Sequence, residues 1–108
     1  MPLTRDFRRT VRARATRDRA FGKALFREAV QTLLQGDIDA GRAGMRDYIN
    51  ATVGFEQLSV ALGRPQKSLP RMFGPTGNPT AENLLGVIGV LQAETGVHLE
   101  VRVVADAA

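Results

Sequence analysis

Apolar residues recur at helical spacing along most of the chain. Phe21, Leu25, Ala29 and Leu33 fall four apart, and Phe26, Val30 and Leu34 widen the same stripe. That pattern predicts one long helix running to Gln35 with Asp18 as its N-cap. Gly36 stands where a left-handed residue closes a helix. A second helix opens at Asp37 or Ile38, turns Ile38, Met45, Tyr48, Ile49 and Thr52 inward, and is broken by Gly54. Residues 55–62 predict a short helix ended by Gly63, and a further one lies between Pro65 and Phe73. The Gly- and Pro-rich run 74–79 predicts a loop. Thr80 then caps a last helix, with Glu82 in its first turn where the helix dipole favours an anion. Ala81, Leu84, Leu85, Ile88 and Leu91 are its expected buried face, and Gly96 its end. Ahead of all these, residues 4–15 read as a short basic helix with Phe7, Val11 and Ala15 on one side.

After Gly96 the period changes. Val97, Leu99, Val101 and Val103 alternate with His98, Glu100 and Arg102, which predicts a β-strand. A lone strand after helices has two unpaired edges, and no other strand signal occurs in the chain. The economical partner is the same strand of a second copy, giving a two-fold dimer. A strand from another protein would serve the edge equally.

Composition narrows the chemistry. The chain has 108 residues, 44% of them hydrophobic, no cysteine and one histidine, His98. Disulfides, Cys/His metal sites and thiol nucleophiles are therefore excluded. No phosphate loop, dinucleotide fingerprint or metalloprotease helix appears. Asp37 and Asp39 stand two apart at a helix start, so they point apart and read as capping groups. His98 has no carboxylate partner nearby in sequence. The reading is of a protein that is not an enzyme and takes no cofactor or metal. The longest apolar runs fall far below the roughly 18 residues that cross a bilayer, and residues 1–9 show no secretory signal, so a cytoplasmic location without a membrane is expected.

Charge is unevenly placed. Residues 1–28 carry nine Arg or Lys against Asp6, Asp18 and Glu28, whereas the remainder has six basic and eight acidic side chains. A basic arm on a near-neutral body points to a polyanion. The bland alternative is a solvated helix whose arginines pair with nearby acids.

The segment from Phe55 to Phe73 has the spacing of a helix-turn-helix. Gly63 supplies the left-handed turn, with Leu58 and Leu62 before it and Leu69 and Met72 after it. Ser59, four residues before the turn, is small enough for close helix approach. An ordinary helical hairpin with Gly63 as its cap fits the same residues.

The surrounding sequence adds a resemblance. Gly54-Phe55-Glu56-Gln57-Leu58, Leu62-Gly63-Arg64-Pro65, Lys67-Ser68-Leu69, Arg71-Met72 and Gly77-Asn78-Pro79-Thr80 resemble the Xre-type, lambda-repressor-like DNA-binding domains. Within that class they resemble the HigA-like addiction-module antidotes, as do Leu34-Gln35-Gly36-Asp37 and residues 46–52. The resemblance covers residues 5–104. It implies a mainly α fold: a five-helix DNA-binding bundle (residues 36–96), preceded by a basic helical extension (1–35) and followed by the short C-terminal β-strand and tail (97–108). It further implies a homodimer that represses its own operon and binds a RelE-like toxin. Such toxins are usually basic, so the slightly acidic body suits them better than the arginine-rich arm.

On that reading, Gln66 and Lys67 at the start of the second motif helix reach into the major groove, with Ser68 and Arg71 about a turn further on. Gln can grip adenine in two places, and Arg or Lys can take guanine O6 and N7. Gly77 and Asn78, with backbone N–H groups near Phe55 and Thr80, are the expected phosphate contacts. Pro70 departs from the pattern, since in a helix interior it costs about 3 kcal/mol. It fits if the helix starts late, with Ser68 as N-cap and Leu69 or Pro70 in the first turn. Gln66 and Lys67 then lie in the turn.

Three functions remain. The first is an autoregulating antitoxin that binds operator DNA and a toxin. The second is a stand-alone phage-like repressor. The third is a protein-interaction module that sequesters a partner without binding DNA.

Overall fold

Gly36, at φ +90°, and the Asp37 side chain turn the chain tightly between two helices that lie antiparallel. The computed structural model describes residues 19–107, and over them the chain forms five helices. The expectations for residues 4–15 and for Asp18 as a cap lie outside the described residues. Helix α1 spans Arg19–Leu34 and α2 spans Ile38–Ala51. Their pairing is legible in three rungs: Leu33 over Gly41, Ala29 over Gly44, and Phe26 stacked on Tyr48. The helices approach closely because glycine stands opposite each of the first two side chains.

Helix α3 spans Gly54–Leu62, α4 spans Ser68–Met72 and α5 spans Ala81–Thr95. Helix α3 is the hub, touching α2, α4 and α5. One core joins all five: Phe26 and Ala29 of α1, Met45, Tyr48 and Ile49 of α2, Leu58, Leu69, Phe73, and Val87 and Leu91 of α5. Helix α1 is thus part of the same core as the helices after residue 36.

Most expected caps are present. The Asp37 side chain accepts a hydrogen bond from the Ala40 N–H at 3.2 Å, and Thr80 Oγ1 accepts one from the Asn83 N–H at 3.1 Å. Gly63 and Gly96 both end their helices at positive φ. These local rules act over one turn, and their residues are unambiguous in the sequence.

The structure corrects the burial pattern in places. Ala81 and Leu85 are exposed, and Val87 takes the core position expected of them. Helix α5 is apolar around most of its circumference, so periodicity alone leaves its phase open. Leu34 and Ile38 are also exposed, because they flank the α1–α2 turn where no further layer covers them.

The expected C-terminal strand does not form. Residues 97–107 adopt no regular secondary structure. Val97 and Leu99 still pack against the core, and the Leu99 N–H donates to Gln92 Oε1 at 2.9 Å. Val101 and Val103 are almost fully exposed. The alternation is real for one inward pair, but a single chain offers no second strand to accept a ladder of backbone bonds.

Candidate nucleic-acid interface

The turn between α3 and α4 is set by backbone chemistry. Gly63 adopts φ 65° and ψ 34°, the left-handed region where a side chain is strained. Its N–H donates to the Val60 carbonyl at 3.2 Å, and the Arg64 N–H donates to the Ser59 carbonyl at 3.0 Å. This bond pair is a Schellman closure, and Pro65 follows where the helix cannot continue. Ser59 is buried between the helices, its hydroxyl turned back onto the Glu56 carbonyl at 2.8 Å. A small residue is needed there, as its spacing from Gly63 predicts.

Helix α4 starts late. Lys67 is its cap and makes no side-chain capping bond, and Ser68 is the first helical residue. The Ser68 hydroxyl and N–H both donate to the Pro65 carbonyl, at 2.8 and 3.1 Å. Pro70 is the third helical residue, where an N–H has no intrahelical acceptor to lose. Proline is therefore tolerated, and Gln66 and Lys67 lie in the turn ahead of the helix. Expected as an N-cap, Ser68 sits one position later and locks the turn instead.

Leu69 is fully buried and anchors α4 against α3, while Phe73 packs 6.3 Å from Phe55 at a 44° tilt. Arg64 bridges to α5, donating to Asn83 Oδ1 at 2.6 Å. With the helices fixed in this way, Gln66, Lys67, Arg71 and Asn78 are exposed, and Ser68 and Gly77 are half-buried. Gln66 stands at the rim of a cleft of about 650 Å³ whose other wall is the first turn of α3. That first turn has no side-chain cap bond at Val53. Between Glu56 and Glu82 the chain carries Arg64, Lys67 and Arg71 and no acidic residue. These three side chains are exposed and basic, while Glu56 lines the cleft beside Gln66.

Gly77 has a further task. Its N–H donates to the Gly74 carbonyl at 3.0 Å, so that group is already engaged. A side chain at this position would collide with the backbone carbonyls of Arg71 and Met72. Glycine lets the 74–79 loop lie directly on the last turn of α4.

Sequence reasoning missed Arg42. Its side chain is 11% exposed and donates to the Gly77 carbonyl at 2.7 Å, the Pro75 carbonyl at 3.1 Å and the Asp39 carboxylate at 3.1 Å. A signal was present, because Arg42 falls four after Ile38 and three before Met45, on the stripe assigned to the interior.

Among the described residues no group of three or more His, Cys, Asp or Glu side chains could hold a metal, and no helix is long and apolar enough to cross a membrane. Compared with known proteins, the chain matches no family model, no curated protein and no solved structure.

Proposed function

We propose that this protein is a sequence-specific DNA-binding transcriptional regulator, and specifically the autoregulating antitoxin of a toxin–antitoxin module. The observation that carries the reading is the Gly63 closure, which sets α4 and the turn before it outward with Gln66, Lys67 and Arg71 exposed. Gln66 and Lys67 contact base edges, Ser68 and Arg71 extend the contact, and Asn78 meets phosphate, whereas the Gly77 N–H, expected there too, is spent on the Gly74 carbonyl. Arg64 is engaged by Asn83 and contributes charge rather than contact. The protein acts in the cytoplasm as a homodimer, its tails meeting through Val101 and Val103, while Val97 and Leu99, expected in the same seam, are held on the core of their own chain. The exposure of Val101, Val103 and Val104 in a single chain supports that pairing. Two-fold symmetry would then present two reading elements about 34 Å apart, on one face of the duplex.

A protein-interaction module that binds no DNA is the competing reading, favoured by the brevity of α4, which is five residues long. A gel shift with the protein's own promoter DNA, run with and without the product of the adjacent gene, separates the two. Salt-dependent retardation that the neighbour's product modifies supports the antitoxin. Retardation indifferent to that product leaves a stand-alone repressor. No retardation at low salt removes DNA binding altogether.

A further inference from the structure

Arg42 is the buried charged side chain among the described residues, and Ser59 and Tyr48 are the buried ones that carry a hydroxyl. A buried guanidinium is tolerated only when its N–H groups find acceptors. Two of the acceptors Arg42 uses, the carbonyls of Pro75 and Gly77, lie more than thirty residues further along the chain, in the loop after α4. That loop has no regular structure of its own, and within it the Gly77 N–H to Gly74 bond closes a single turn. Asp39, itself 90% exposed, holds the guanidinium from the solvent side. The planar fork of Arg42 thus ties the loop to α2 at two points, and Gly77 presses the loop onto the carbonyls of Arg71 and Met72.

From this geometry we infer that Arg42 is a positioning residue for the DNA-contacting surface. The inference rests on the DNA-binding reading above. Arg42 is too deeply placed to meet nucleic acid, and it acts through the loop by fixing Asn78. Lysine is a poor replacement, since its donors radiate from one nitrogen and do not reproduce the two-nitrogen planar fork that reaches both carbonyls.

A double-mutant cycle on the full chain tests this, with promoter DNA as ligand and stoichiometric titration to count the folded, active fraction. Arg42→Lys should weaken promoter binding about tenfold, the equivalent of one lost charge-assisted hydrogen bond, with the active fraction unchanged. The ratio of promoter to scrambled-sequence affinity should stay constant, because Gln66 and Lys67 are not tied to the loop. In an Asn78→Ala background, Arg42→Lys should cause no further loss. Fully additive losses overturn the proposal, as does a lower active fraction with normal affinity. Amide exchange at Gly77 gives a readout independent of DNA, and it should quicken in Arg42→Lys. Unchanged exchange overturns the tie itself. If the wild type binds no promoter fragment while Gly77 exchange does quicken, the DNA reading has failed and the tie is structural only.

Discussion

The rings of Phe26 and Tyr48 lie 4.5 Å apart, centroid to centroid, and within 4° of parallel. This stack is the last rung of the α1–α2 pair, and both residues are almost fully buried. Phe26→Ala removes one ring and leaves a cavity against the other, which should cost about 3–5 kcal/mol. Urea unfolding followed by circular dichroism checks it, and a loss below about 1 kcal/mol, the scale of a surface change, would show that α1 is dispensable to the core.

Tyr48 gives the protein a pH dependence on the alkaline side. Burial pushes its phenol above the ordinary value of 10.0, opposed in part by a hydrogen bond with the Thr95 side chain. The folded state therefore holds this proton more tightly than the unfolded chain does. The stabilisation is complete below about pH 10 and is lost as pH rises through the folded value. Urea midpoints from about pH 8 to pH 11 should fall more steeply for the wild type than for Tyr48→Phe. Parallel curves would mean that the phenol is as solvated as in the unfolded chain.

Gly63→Ala places a Cβ in the left-handed region, and the expected cost is about 1–2 kcal/mol. Gly63→Asn should recover part of it, since asparagine tolerates that conformation better. Thermal melts of the three proteins should rank glycine, asparagine, alanine. An alanine variant as stable as the parent would contradict the turn geometry.

Much of this was legible in the sequence, and the part that was not follows a physical rule. Asp37, Gly63, Thr80 and Gly96 act on neighbours within one turn, so residue type and position suffice. The phase of α5 was not legible, because Leu84, Leu85, Val87, Ile88, Val90 and Leu91 cover more than half of its circumference and the neighbouring helices choose the face. Arg42 acts across more than thirty residues, and nothing local announces its acceptors. In the tail, alternation put Val97, Leu99, Val101 and Val103 on one side of an expected strand, but a strand also needs a partner backbone, and only Val97 and Leu99 reach the core. At the candidate interface the exposure of Gln66, Lys67, Arg71 and Asn78 agrees with their surface placement, whereas the Gly77 N–H is committed within its own loop.

Lys67→Ala distinguishes two kinds of contact under the DNA-binding proposal. If Lys67 meets phosphate, the slope of log affinity against log salt should become shallower by about one unit. If it meets a base, the slope barely moves and discrimination against point-substituted operators falls. Affinity for the promoter indistinguishable from the parent's at every salt concentration would remove Lys67 from the interface.

Pro70 sets a limit on what α4 can do. With its start fixed beside a proline and its end at Met72, the rod is five residues long and rises about 7 Å. Laid along a duplex, that length covers about two base-pair steps at 3.4 Å each. One subunit's helix would thus inspect too few letters to single out a site in a genome, and selectivity would have to come from a mirrored pair of half-sites held at a fixed distance.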